Sequence, residues 1–314
     1  MLKTERRYVK DFIVAVCILF AISFACAISI ADEIGTEDAA FLKIDAASRP
    51  AAMGGAFVGV ANDVNSVFWN PAGLTQTEKR ELSAMYNSWF AGINYGSGAY
   101  SQRIGNAAVG LSVIYLQSEI QRRTDDTEEA DSTFNAYSMA AGISGSYALI
   151  PKVFSLGGTV KLIDQDFDVE DSNGTALDLG GMFHISKLNI GGSVQNIKLH
   201  SSLDDGSLPL GIRAGISYPF VSEGIIAAEF SKQGAADATY HIGVEKWFKK
   251  ILAMRLGYCL GSGDNPKEGF SLGLGLKAYG TKPMENMNFQ FDYAYVPEWD
   301  GLGDTHRISM MVRF

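Results

Sequence analysis

The sequence predicts an all-β membrane fold: a 14-stranded antiparallel outer-membrane β-barrel with a short N-terminal lumenal hatch. Three observations carry this. The chain opens on a secretory leader. From about residue 82 to the end, apolar and polar residues alternate with period two, stretch after stretch. Between those stretches long connections alternate with short ones, the asymmetry of outer loops against periplasmic turns.

The leader spans 1–31. Lys3, Arg6, Arg7 and Lys10 form a basic start, Phe12 to Ile30 is almost wholly apolar, and small residues offer cleavage after Ala27 or Ala31. Cleavage after Ala31 removes Cys17 and Cys26, leaves Cys259 as the one thiol, and takes the net charge from −9 to −11. Disulfides then carry no stability, and nucleic acid is excluded as a partner. The export route and the barrel pattern place the protein in the outer membrane of a Gram-negative-type bacterium, in contact with outer-membrane lipid, lipopolysaccharide and the barrel-assembly machinery.

Residues 32–80 form the next unit, a hatch segment ahead of the barrel at 81–314. From Ser48 to Leu74 the chain is rich in Ala and Gly, and Asn70-Pro71 forbids a continuing helix and sets a turn. The barrel strands are expected at 82–91, 95–104, 107–121, 134–149, 155–168, 175–185, 187–196, 210–219, 224–233, 239–249, 251–261, 269–279, 286–297 and 305–314. The pattern is clearest late in the chain, where Phe270, Leu272, Leu274 and Leu276 interleave with Ser271, Gly273, Gly275 and Lys277. A soluble sandwich would show the same alternation, so the choice rests on connection lengths, the even strand number and aromatic rings at strand ends (Trp89, Phe90, Tyr218, Phe220, Trp247, Phe248, Tyr279, Trp299). The terminal Phe314 after alternating apolar residues reads as an assembly signal.

Parity assigns a lumenal face. It carries Gly110, Gly142, Gly180, Gly191, Gly211, Gly215, Gly243, Gly257, Gly273 and Gly275, small enough to admit inserted backbone. It also carries Lys161, Asp178, Arg213, Glu229, Glu245, Arg255, Lys277, Asp292, Arg307 and Arg313, a mixed set expected to pair across the lumen or onto the hatch.

Enzymatic signals are poor, and the reading is a non-enzyme without catalytic residues, cofactor or metal. His184, His200, His241 and His306 lie far apart, and Gly142-Ile143-Ser144-Gly145-Ser146 misses the nucleophile elbow by its last residue. Asp164, Asp166, Asp168 and Glu170 before Asp171-Ser172-Asn173-Gly174 could hold a cation but fail the EF-hand pattern, and a solvated strand end is the simpler reading. The acidic stretch Asp125 to Asp131, beside Arg122 and Arg123, reads as a solvated outer loop.

The motif Arg49-Pro50-Ala51-Ala52-Met53-Gly54-Gly55-Ala56-Phe57, followed by Asn62-Asp63 and Trp69-Asn70-Pro71-Ala72-Gly73-Leu74, resembles the PorV/PorQ family of outer-membrane proteins. That family is itself similar to the FadL long-chain fatty-acid transporters. The resemblance implies that this segment folds inside the lumen, with Arg49, Pro50, Met53, Gly54, Gly55, Trp69, Asn70, Pro71, Ala72 and Gly73 as hatch or gate. It also implies a non-enzymatic interaction or shuttle component for exported proteins, as in type IX secretion. A FadL-like conduit for small hydrophobic compounds is the alternative, and a purely structural barrel the third reading. Only about 50 mature residues precede the first strand, shorter than the fatty-acid transporters' hatch.

Overall fold

The computed structural model describes residues 38–88, 92–122, 132–167, 171–201, 207–262, 268–282, 284–297 and 304–314. The leader with its cleavage sites, Trp89, Phe90, the stretch from Asp125 to Asp131, Asp168, Glu170 and Trp299 lie outside these residues.

Fourteen strands follow one another as β1 (Arg80–Ser88), β2 (Asn94–Ile104), β3 (Ala107–Arg122), β4 (Ser132–Ile150), β5 (Phe154–Asp166), β6 (Asp171–Ile185), β7 (Leu188–Ser201), β8 (Gly211–Val221), β9 (Gly224–Gln233), β10 (Thr239–Phe248), β11 (Leu252–Gly261), β12 (Gly269–Tyr279), β13 (Asn288–Val296) and β14 (Thr305–Arg313). Each pairs antiparallel with its neighbours, and β1 closes onto β14 with Glu81 opposite Arg313 and Asn87 opposite Arg307. The expected barrel is therefore present, and closure leaves no unpaired sheet edge.

Several boundaries differ from expectation: β6 begins at Asp171 rather than 175 and β7 runs to Ser201 rather than 196, so these strands reach further past the outer end, and two others differ for local reasons. β13 starts at Asn288 rather than 286: the Met287 N–H bonds to the Met284 carbonyl, while the Gly280 N–H bonds to the Met287 carbonyl. At the other end β14 stops at Arg313, yet the Phe314 N–H still donates to the Arg80 carbonyl at 3.0 Å and continues the seam.

Alternation sorts side chains as lipid demands. Ile143, Leu162 and Ile308 point outward at 69%, 62% and 60% exposure, while Glu245, Arg255 and Asp292 are buried inside. A continuous outer apolar wall over an inner polar one makes this a membrane-spanning barrel of the outer-membrane kind. Among the described residues no helix is long and apolar enough to cross a membrane; the crossing is made by strands.

The tight turns 105–106, 151–153, 186–187, 222–223 and 249–251 lie at one end, together with the start of β1 and the end of β14. Short turns mark the periplasmic end of such barrels. The start of β2, the end of β3 and the start of β6 then mark the outer end.

Candidate functional site in the barrel lumen

Residues 39–77 fold into short pieces: a 3-10 turn Ala40–Lys43, α1 (Ser48–Ala52), α2 (Ser66–Trp69) and a second 3-10 turn Pro71–Gln76. Two single-turn helices and two 3-10 turns cannot stand alone in water. They are stable here because the wall surrounds them: Ala52, Phe57, Val58, Val64, Asn70 and Leu74 are fully buried.

The segment circles the inner wall, touching it where the wall has no side chains. A Cβ on Gly273 would collide with Ala52, and one on Gly257 with Met53 and Gly54. One on Gly243 would lie 2.5 Å from the Met53 carbonyl oxygen, and one on Gly215 2.7 Å from Val58. Gly191 faces Val58, Gly180 faces Asn70, Gly157 faces Pro71 and Ala72, and Gly110 faces Val67 and Leu74. Wall glycines thus mark the track of the inserted backbone. Gly142, Gly211 and Gly275 face only wall side chains, so parity alone did not separate them from the rest. Gly157 was missed although it shares the face of Lys161.

Gly54 and Gly55 have φ of +66° and +88°, where residues bearing Cβ are strained. They turn the chain out of α1, and the Met53 and Gly55 N–H groups close on the Pro50 carbonyl. Asn70 then fastens the turn that follows α2. Its Oδ1 accepts from the Ala72 N–H at 3.2 Å, capping Pro71–Gln76, while its Nδ2 donates to the Val58 and Gly181 carbonyls at 3.2 and 3.0 Å. Pro71 fits the first position of that turn, where no N–H is needed. Gly73 packs against Ala61 with no room for a side chain.

Charges lock the inner half. The Arg49 guanidinium donates to Glu245 through Nε and Nη2, each at 2.8 Å, and through Nη1 to Asp63 at 2.6 Å and Asn62 at 2.7 Å. Burial alone would favour loss of its proton, but Glu245 and then Asp63 hold it above the ordinary arginine range. Arg255 joins the same Glu245 at 2.7 Å and Asp292 at 2.8 Å. Glu229 receives Arg213 at 2.8 Å and the Phe57 and Val58 N–H groups at 2.7 Å each. Arg313 pairs with Glu81 at 3.2 Å, and Glu81 also accepts from the Val64 N–H. Each of these carboxylates is satisfied by more than one donor, the condition under which buried charge is tolerated.

The remaining lumenal charges differ in how tightly they are held, Lys161 and Asp178 each also bonding Asn196. Lys161 meets Asp178 at 2.9 Å, Arg307 lies 3.9 Å from the Asp45 carboxylate, and Lys277 reaches the periplasmic mouth with its ammonium 4.1 Å from the centre of the Trp247 ring. Trp69 packs edge-on against Phe57 at 5.8 Å, with the Arg213 guanidinium 5.9 Å from its ring, and its carbonyl accepts from Ser193.

Sequence reasoning missed two wall groups that grip the segment. Glu81 sits where the lumenal segment runs into β1, and its inward parity was available in the alternation. His241 was set aside as a lone histidine. It bonds the Gly54 carbonyl through Nδ1 at 2.6 Å, and Ser231 and Thr239 through Nε2 at 2.9 Å each.

The outer half of the lumen has a different chemistry. Tyr95, Ile114, Ala140, Ile163, Ala176 and Leu208 form an apolar chamber, filled by Phe41, Leu42 and Ile44 of the chain itself. Beside it a partly open cavity of about 40 Å³, lined by Ile44, Phe68 and Trp69 together with Lys161, Asp178 and Asn196, has room for a few waters. At the periplasmic end a cavity of about 590 Å³ opens between Arg49, Glu78, Trp247, Lys277 and Gln290. Among the described residues no group of three metal-ligating side chains occurs.

A model for the uncharacterised protein family UPF0164 matches residues 19–176, half of the chain. No curated protein matches. Among solved structures, the toluene transporter TodX of Pseudomonas putida superposes with a TM-score of 0.59 at 12% identity, covering 90% of this chain and 98% of that one. A FadL homologue of Pseudomonas aeruginosa gives 0.57 at 11% identity, covering 89% and 99%. At such identities the likeness is one of fold.

Proposed function

The chain belongs to the uncharacterised protein family UPF0164, and we propose that it is an outer-membrane conduit for small hydrophobic compounds. One observation carries the reading: the outer half of the lumen is an apolar chamber whose present occupant is the chain's own Phe41, Leu42 and Ile44. A barrel lumen facing water has no reason to be greasy at that depth unless apolar matter resides there. The shared fold with TodX, a toluene transporter, supports the same direction. In this reading, movement of 39–46 vacates the chamber for a guest of similar size, and the inner plug sets what passes further.

The test is saturable binding. Purified protein in detergent is titrated with a fluorescent naphthylamine, and toluene is then added as competitor. The proposal expects saturation at one site and displacement by toluene, both strengthened in a Phe41→Ala, Leu42→Ala variant. Non-saturable partitioning equal to that of empty micelles overturns it.

A second reading, an interaction or shuttle component for exported proteins, is favoured by the PorV/PorQ-like motif at 49–74 and by an inner lumen sealed with buried ion pairs. Recovery of one exported protein in stoichiometric complex with the barrel from native membranes would support it. Recovery of the barrel alone after crosslinking counts against it.

A further inference from the structure

At the periplasmic rim a cleft of about 460 Å³ is lined by Glu223, Lys246, Trp247, Phe248, Lys249, Ile251 and Leu252. It is separate from the apolar lumenal chamber. Along β10 the exposed Tyr240, Ile242 and Phe248 face lipid while the buried His241 and Glu245 face the lumen, so parity places Lys246 on the lipid side. Its cross-strand partners are Gly224 and Met254.

A cation on a lipid-facing wall is costly at mid-depth and tolerated near the interface, where a long stem carries the charge to polar groups. Lys246 does this: its ammonium bonds the Ser222 carbonyl and lies 5.9 Å from the centre of the Phe248 ring. A carbonyl leaves the positive charge uncompensated, and no salt bridge joins Lys246 to a carboxylate among the described residues, although Glu223 lines the same cleft. The next turn adds charge. Lys249 and Lys250 adopt φ of +52° and +58° and are exposed, with Lys249 on this cleft. Below these ammonium groups Phe248, Ile251 and Leu252, each 40–46% exposed, offer an apolar floor.

We infer that this cleft holds an anionic glycerophospholipid of the periplasmic leaflet, its phosphate between Lys246 and Lys249 and its acyl chains over Phe248, Ile251 and Leu252. Charge complementarity selects the headgroup. The apolar floor selects a lipid over a free anion.

The mature chain in detergent is titrated with phosphatidylglycerol or phosphatidylcholine of identical acyl chains, and bound lipid is counted by native mass spectrometry. Preferential retention of phosphatidylglycerol is expected. It should fall by roughly fivefold per lysine removed, the weight of one basic residue at an anionic surface, in a Lys246→Gln, Lys249→Gln variant, and persist in Lys246→Arg. A Lys152→Gln, Lys187→Gln variant, altered at other periplasmic turns, should behave as wild type, and heat-modifiable gel mobility verifies that each barrel is folded. Equal retention of the two lipids, an unchanged preference in the double variant, an equal loss in the control variant, or full displacement of the lipid by inorganic phosphate would each overturn the inference.

Discussion

The two halves of the lumen solve the same packing problem in opposite ways. In the inner half, residues 48–76 meet the wall backbone to backbone at glycines and are tied by Arg49, Glu245, Arg255, Asp292, Glu229 and Glu81, all buried. In the outer half, residues 39–46 rest mainly on apolar side chains, with hydrogen bonds such as Tyr95 Oη to the Ile44 carbonyl and Ser97 Oγ to the Ala46 carbonyl, and with a looser ion contact between Arg307 and Asp45 at 3.9 Å. Dispersion and hydrophobic contact are non-directional, so another apolar body of similar size can replace them. A multiply bonded buried charge has no such substitute. On the proposed conduit reading, the difference separates a fixed plug from a replaceable occupant.

The largest break in that contrast comes from removing the shared carboxylate. Glu245→Leu leaves Arg49 with Asp63 and Arg255 with Asp292 but strips both of their common partner, and a loss of about 3–5 kcal/mol is expected. Urea unfolding followed by gel mobility reads this; a midpoint equal to wild type means the network does not hold the plug. Gly257→Val comes next. Its branched side chain must push Met53 and Gly54 off β11, at about 1–3 kcal/mol, and limited proteolysis should then cut within 48–60. Resistance equal to wild type contradicts tight backbone contact.

Asn70→Ala removes a cap and two donors to buried carbonyls, for about 2 kcal/mol by the same unfolding assay. Asn70→Asp keeps the acceptor for Ala72 but sets a buried carboxylate against the Val58 and Gly181 carbonyls, so it is expected to cost more than Asn70→Ala. A cost of Asn70→Asp no larger than that of Asn70→Ala would mean that these two carbonyls do not face the side chain closely. The smallest stability change belongs to Leu42→Ala alone, below about 2 kcal/mol because Leu42 is only partly buried. Phe41→Ala with Leu42→Ala should show the largest gain in probe binding.

How much of this was legible follows the range of each signal. Strand positions and facing are local, with period two, so β3, β9 and β12 were placed to within a residue and Glu245, Arg255 and Asp292 fell on the correct face. Which charge meets which was not legible: Arg49 and Glu245 stand 196 residues apart, and only barrel closure with a circling segment brings them together. His241 escaped for the same reason, its partner being the carbonyl of a distant glycine. Wall glycines hinted at inserted backbone, yet Gly142 and Gly275 carry the same parity and face wall side chains, because parity gives the face and not the path across it. The apolar outer chamber left no mark in the charge pattern, since Ile114, Ile163 and Leu208 read simply as strand and loop apolar residues.

Amide hydrogen exchange of the full mature chain in detergent, read by mass spectrometry on peptides covering 39–46 and 53–77, tests the two-part lumen most directly. Fixed plug and replaceable occupant predict exchange in 39–46 at least about tenfold faster than in 53–77, and faster still in 39–46 alone when toluene is added and displaces that stretch from the chamber. Equal protection of the two stretches, or faster exchange in 53–77, would contradict the account.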